Sequence, residues 1–144
     1  MKPTLVLDTN VLLDLFVFND PDITPLKTAL LANQLNWIST TAMRDELERV
    51  LTYPKITPRM AFYQISAVEV LAWFDQFATL VDAAPRAAAI CKDPDDQKFI
   101  DLAVLHHTTL LSKDQAVLCM QKRLLVSGII AQTAIKYVAQ NYPP

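Results

Sequence analysis

The chain has 144 residues, 52% of them apolar and 19% charged, with a net charge of −2. That length suits one domain around one core, and the composition excludes a disordered chain. The near-neutral balance excludes an overall basic footprint, and a single glycine, Gly128, excludes the glycine-rich phosphate loops of nucleotide-binding folds.

From the N-terminus, Met1-Lys2-Pro3 leads straight into Thr4-Leu5-Val6-Leu7, a short apolar run that reads as a strand buried on both faces. A signal peptide needs a longer apolar stretch, and no run here is long enough to cross a bilayer, so the expected location is the cytoplasm. Val11 to Val17 reads as a helix and residues 18–22 as a turn. Thr24 is a candidate N-cap with Pro25 at the first helical position, opening a helix to about Gln34. Asn36 to Ser39 reads as a second strand, and Thr40 or Thr41 caps a helix that Pro54 stops after Tyr53. Thr57-Pro58 opens the longest predicted helix, to about Phe77. Thr79 to Val81 fits a short strand. Asp93-Pro94 opens a helix through His107, and Thr109 to Ser112 is a third clear strand. A helix, a strand near Leu124-Leu125-Val126 and a terminal helix from about Gln132 to Gln140 complete the pattern. This alternation predicts an α/β fold, one domain over residues 1–144, with a central parallel sheet flanked by helices. Cys91 and Cys119 form no paired motif and His106 and His107 are adjacent, which argues against structural zinc and for free, buried or half-buried thiols.

The acids are the informative residues: 12 Asp against 3 Glu. Asp is a poor helix-interior residue, favoured at caps, turns and metal sites. Asp8 ends the first strand and Asp114 follows the third clear strand by two positions, so both belong at the rim formed by the carboxyl ends of a parallel sheet. Helical phase places Asp96 on a stripe with Ile100, Ala103 and His107, facing inward, and puts Asp101 off it, toward solvent. Asp93 is the natural cap of that helix, with a supporting role at a metal as its other reading. On the helix after Thr41, Glu46 lies at the edge of the stripe Met43, Leu47, Val50 and Leu51. Glu48 lies on the far side, one turn from Arg44, and is expected to pair with it. Asp8, Glu46, Asp96 and Asp114 gathered on one rim would repel one another without a cation, and oxygen-only ligation suits Mg²⁺ or Mn²⁺, with one ion expected and a second open.

Four motifs in order carry a resemblance. Val6-Leu7-Asp8-Thr9-Asn10-Val11-Leu12, Arg44-Asp45-Glu46-Leu47-Glu48-Arg49-Val50-Leu51 with Tyr53-Pro54-Lys55, Cys91-Lys92-Asp93-Pro94-Asp95-Asp96-Gln97-Lys98-Phe99-Ile100-Asp101-Leu102-Ala103 and Leu110-Leu111-Ser112-Lys113-Asp114 resemble those of PIN-domain nucleases. The resemblance implies a Mg²⁺- or Mn²⁺-dependent ribonuclease with Asp8, Glu46, Asp96 and Asp114 as ligands and catalytic acids. Asn10 and Ser112 fall where polar residues support the ligands. It is similar to the virulence-associated C toxins, which implies a small antitoxin partner and a homodimer. Ser112-Lys113 stands where the family often has Thr-Gly, and Ala116 where a second Asp is common. Arg44, Arg49, Lys55 and Arg59 could contact RNA phosphates or be ordinary surface charge. Trp37 and Trp73 could stack bases, with core packing as the plainer expectation. The helix around Phe62 to Phe77 fits a core element, a dimer interface or an antitoxin groove. The competing reading is an inactive PIN-like module that binds nucleic acid or protein.

Overall fold

The computed structural model describes residues 2–144. Five short strands form one sheet: β1 (Thr4–Leu7), β2 (Asn36–Ser39), β3 (Ala78–Leu80), β4 (Thr109–Leu111) and β5 (Ala131–Gln132), in the order β3-β2-β1-β4-β5. Every neighbouring pair is parallel, with β1 at the centre between β2 and β4. Around the sheet lie α1 (Thr9–Phe16), α2 (Thr24–Leu31), α3 (Thr41–Val50), α4 (Thr57–Tyr63), α5 (Ala67–Phe77), α6 (Gln97–His106), α7 (Gln115–Leu118), α8 (Gln121–Val126) and α9 (Ala134–Asn141). No helix among the described residues is long and apolar enough to cross a membrane.

Strand alternation divides the core in two. Leu5, Leu7, Trp37 and Leu111 face a cluster built with α1, α2, α5 and α9. Val6, Ile38, Leu110 and Ala131 face a second cluster built with α6, α7 and α8. Both faces are covered, which is why the strands read as continuous apolar runs. Trp37 is buried and Trp73 is half-buried against the Phe16 ring at 5.4 Å, so both tryptophans pack the first cluster. Cys91 is a buried free thiol, whereas the Cys119 thiol is exposed.

Several expectations are corrected. The long helix from Thr57 is two helices, because Gln64 adopts a left-handed conformation (φ 57°, ψ 40°) that ends α4 and Ser66 caps α5, accepting from the Glu69 amide at 3.1 Å. Leu124 to Val126 belongs to helix α8, not to a strand; three consecutive apolar residues do not distinguish the two, and the sheet edge is taken by β5 instead. Thr24 lies inside α2 and makes no cap bond. The helix expected from Asp93 begins at Gln97, because residues 93–96 are used in a turn closed by the Asp96 amide donating to the Asp93 carbonyl at 3.1 Å. Asp101 is not a solvated helix-face acid: its Oδ1 accepts from the Ala87 amide and the Gln97 side-chain amide, both at 2.8 Å. Gln97 also accepts from the Cys91 amide at 2.6 Å and donates to the Ala89 carbonyl at 3.0 Å, so these two side chains fasten the irregular segment before α6.

Candidate active site

The rim at the carboxyl ends of β1 and β4 is where the candidate acids meet. In the β1–β4 register Leu7 lies opposite Leu111, which brings the next residues, Asp8 and Ser112, side by side. Asp8 is 2% exposed. Its Oδ1 accepts from the Val11 amide at 3.0 Å, capping α1, and its Oδ2 accepts from the Ser112 hydroxyl. The Ser112 oxygen in turn accepts from the Asp114 amide at 3.0 Å. One buried hydroxyl thus ties the acid of β1 to the acid that follows β4. Asp114 caps α7, its Oδ1 accepting from the Ala116 amide at 2.9 Å. Lys113, between the two, pairs with Asp14 of α1 at 2.9 Å.

Asp96 stands at the N-terminus of α6 but makes no cap bond with its side chain. Ile100 and Ala103 are buried, as the stripe required, whereas His107 is exposed because the helix ends there in a left-handed turn. Asp93, Asp96 and Asp114 each offer one carboxylate oxygen, and these three atoms lie within 4.8 Å of one another. Asp93 does not cap α6; its Oδ1 accepts from the Asp95 amide at 3.0 Å. Asp8, Asp96 and Asp114 all sit at helix N-termini, where the free amides carry partial positive charge.

The electrostatics follow from this crowding. Burial raises the Asp8 carboxyl to about 6, against the lowering effect of its two hydrogen bonds; the nearby charges of Asp114 and Glu46 add to the rise. Burial and the facing Asp114 carboxylate push Asp96 up to about 8, while Asp114 is held below the usual carboxylate range by Asp96 and the Ala116 amide. In physical terms Asp96 keeps a proton that it shares with Asp114. Asp96 Oδ2 is fully buried and lacks a hydrogen-bond partner among the described residues. A carboxylate oxygen without a donor, beside two other carboxylates, is the arrangement a hard cation satisfies. The donor set therefore fits a divalent ion held by Asp93, Asp96 and Asp114.

Glu46 lies near Asp8 but is met differently. Lys98 donates to its Oε1 at 2.7 Å and the Thr9 hydroxyl to its Oε2. Neither Thr9 nor Lys98 stands out in the sequence, since each reaches Glu46 only through the tertiary fold. Asn10 is exposed on the first turn of α1. Of the four basic candidates, Arg44 is taken up by Asp75 of α5 in a two-bond pair at 2.7 and 2.9 Å, replacing the expected partner Glu48. Arg59 lies over the Phe18 ring at 3.8 Å, while Arg49 and Lys55 are exposed.

A comparison with curated proteins gives no match. The family model of the PIN domain matches residues 4–116, the stretch that contains all four motifs and every acid described above. PIN domains are generally nucleases that use divalent metals. With a match over most of its length and a parallel sheet that gathers the acids on one rim, the chain belongs to the PIN-domain family.

Proposed function

We propose that this protein is a Mg²⁺- or Mn²⁺-dependent endoribonuclease that hydrolyses RNA phosphodiester bonds. The observation that carries the reading is the cluster of Asp93, Asp96 and Asp114, one carboxylate oxygen of each within 4.8 Å of the others, beside the buried, donor-less Oδ2 of Asp96. A divalent ion there supplies Lewis acidity toward a phosphoryl oxygen and acidifies a water. Asp93, Asp96 and Asp114 would hold it. Asp8, with both oxygens already accepting, fixes Ser112 and through it the Asp114 backbone. Glu46, steadied by Lys98 and Thr9, would orient the attacking water through the lone pair each oxygen keeps. Exposed Arg49 and Lys55 are free to meet phosphates. The free thiols of Cys91 and Cys119 suit a reducing cytoplasm.

The choice of RNA, a toxin role with a small antitoxin and a homodimer rest on the motif resemblance. Phe62 and Val68, 79% and 77% exposed at the α4–α5 turn, offer apolar surface for such an interface. The deciding experiment is cleavage of single-stranded RNA with Mn²⁺, with and without chelator, for wild type, Asp8→Asn and Asp96→Asn. Metal-dependent cleavage lost in both variants supports the reading; chelator-resistant cleavage, or equal activity in the variants, sinks it. Growth arrest on expression that Asp96→Asn relieves would support the toxin role. The second reading, a binding module without activity, is favoured by the occupied oxygens of Glu46. RNA binding without cleavage under any metal would establish it.

A further inference from the structure

Lys98 is a built feature of the rim that the nuclease reading uses only to steady Glu46. Its Nζ donates to Glu46 Oε1 at 2.7 Å, to the Asp95 carbonyl at 2.5 Å, and lies 5.0 Å from the Phe99 ring. The ammonium is therefore fixed between an acid on α3 and the backbone of the turn that carries Asp93 and Asp96. Both oxygens of Glu46 already accept a hydrogen bond, Oε2 from the Thr9 hydroxyl. Asp93, Asp96 and Asp114, by contrast, take part in no ion pair among the described residues. A second divalent ion beside Glu46 would have to displace two donors and meet the repulsion of a cation held at hydrogen-bonding distance.

We infer that Lys98 supplies, as a fixed side-chain cation, the positive charge that a second divalent ion would otherwise supply beside Glu46, so that the site takes a single metal ion. The inference rests on the metal-dependent reading above and concerns the ammonium's part in it. Lys98 is accordingly a positioning residue: it holds Glu46 and excludes a second ion.

The test is the stoichiometry of Mn²⁺ binding to the full chain, read by the loss of the free-ion paramagnetic resonance signal and by calorimetry, with circular dichroism to establish that each variant is folded. Wild type is expected to bind one Mn²⁺, Lys98→Met two, Lys98→Arg one, and the double variant Lys98→Met/Glu46→Gln one again. Two ions on wild type, or one on folded Lys98→Met, would overturn the inference while leaving the nuclease reading intact. No Mn²⁺ on wild type would remove both. If Lys98→Met does not fold, wild type decides alone: one ion supports the inference and two overturn it.

Discussion

The two flanks of the rim carry the same sign of charge and meet it in opposite ways. On the α3 flank, Glu46 is covered by Lys98 and Thr9, and Arg44 by Asp75. On the flank formed by α6 and α7, Asp93, Asp96 and Asp114 face one another with no ion-pair partner among the described residues, and one buried oxygen has no donor. The first flank is complete as the chain folds. The second is left unbalanced, and that imbalance is what a ligand of opposite charge can relieve.

Asp96→Asn separates the flanks most strongly. Cleavage is expected to fall by about two orders of magnitude or more, the scale of losing an electrostatic group at a reaction centre. The same change should raise the melting temperature of the metal-free chain at pH 8, since it removes a proton-holding acid from a crowded site. Glu46→Gln should not do so, because it strands Lys98. A melting temperature that falls in Asp96→Asn would break the contrast.

The pH dependence of the metal-free chain is the next largest effect. Asp8 and Asp96 hold their protons to about 6 and about 8 in the folded state, against an ordinary carboxyl value of 3.8. Between those limits the folded form binds more protons than the unfolded one, so stability falls as pH rises. For Asp8 alone the loss is about 3 kcal/mol across the window. Asp114, held low, acts oppositely, but its contribution is lost only as pH falls below the usual carboxylate range. Urea denaturation with chelator at pH 5 and pH 8 should show the decline, and Mg²⁺ should reverse most of it at pH 8. A stability that climbs with pH would mean that the acids are already balanced.

Ser112→Ala removes a fully buried hydroxyl that donates to Asp8 and accepts from the Asp114 amide. The expected cost is about 1 to 3 kcal/mol in denaturant unfolding, together with weaker Mn²⁺ binding. Arg44→Ala tests the balanced flank. Its exposed pair with Asp75 should be worth under about 1 kcal/mol, with RNA cleavage nearly unchanged. A large loss of RNA binding in Arg44→Ala would assign that guanidinium to the substrate instead.

What the sequence made legible was local. β1, β2 and β4 could be located because short apolar runs end at a polar residue, and Asp96 could be turned inward because a helical stripe extends through Ile100 and Ala103. The break at Gln64 was not legible, since a glutamine in a left-handed conformation has no compositional signal. Asp101 was misplaced because helix phase describes the helix alone and not the 82–91 segment that lies over it. The partners of Glu46 and Arg44 escaped for the same reason: Lys98 is 52 residues from Glu46 and Asp75 is 31 from Arg44, separations at which spacing rules carry no information.

The bond between Ser112 and Asp8 spans 104 residues of chain. Closing so long a loop is slow and entropically unfavourable before the β1–β4 contacts compensate it. While the chain is being synthesised, Asp8 cannot accept from Ser112 until the fourth strand has emerged and docked beside the first. The acids of the rim therefore come together only after Asp114 has been synthesised.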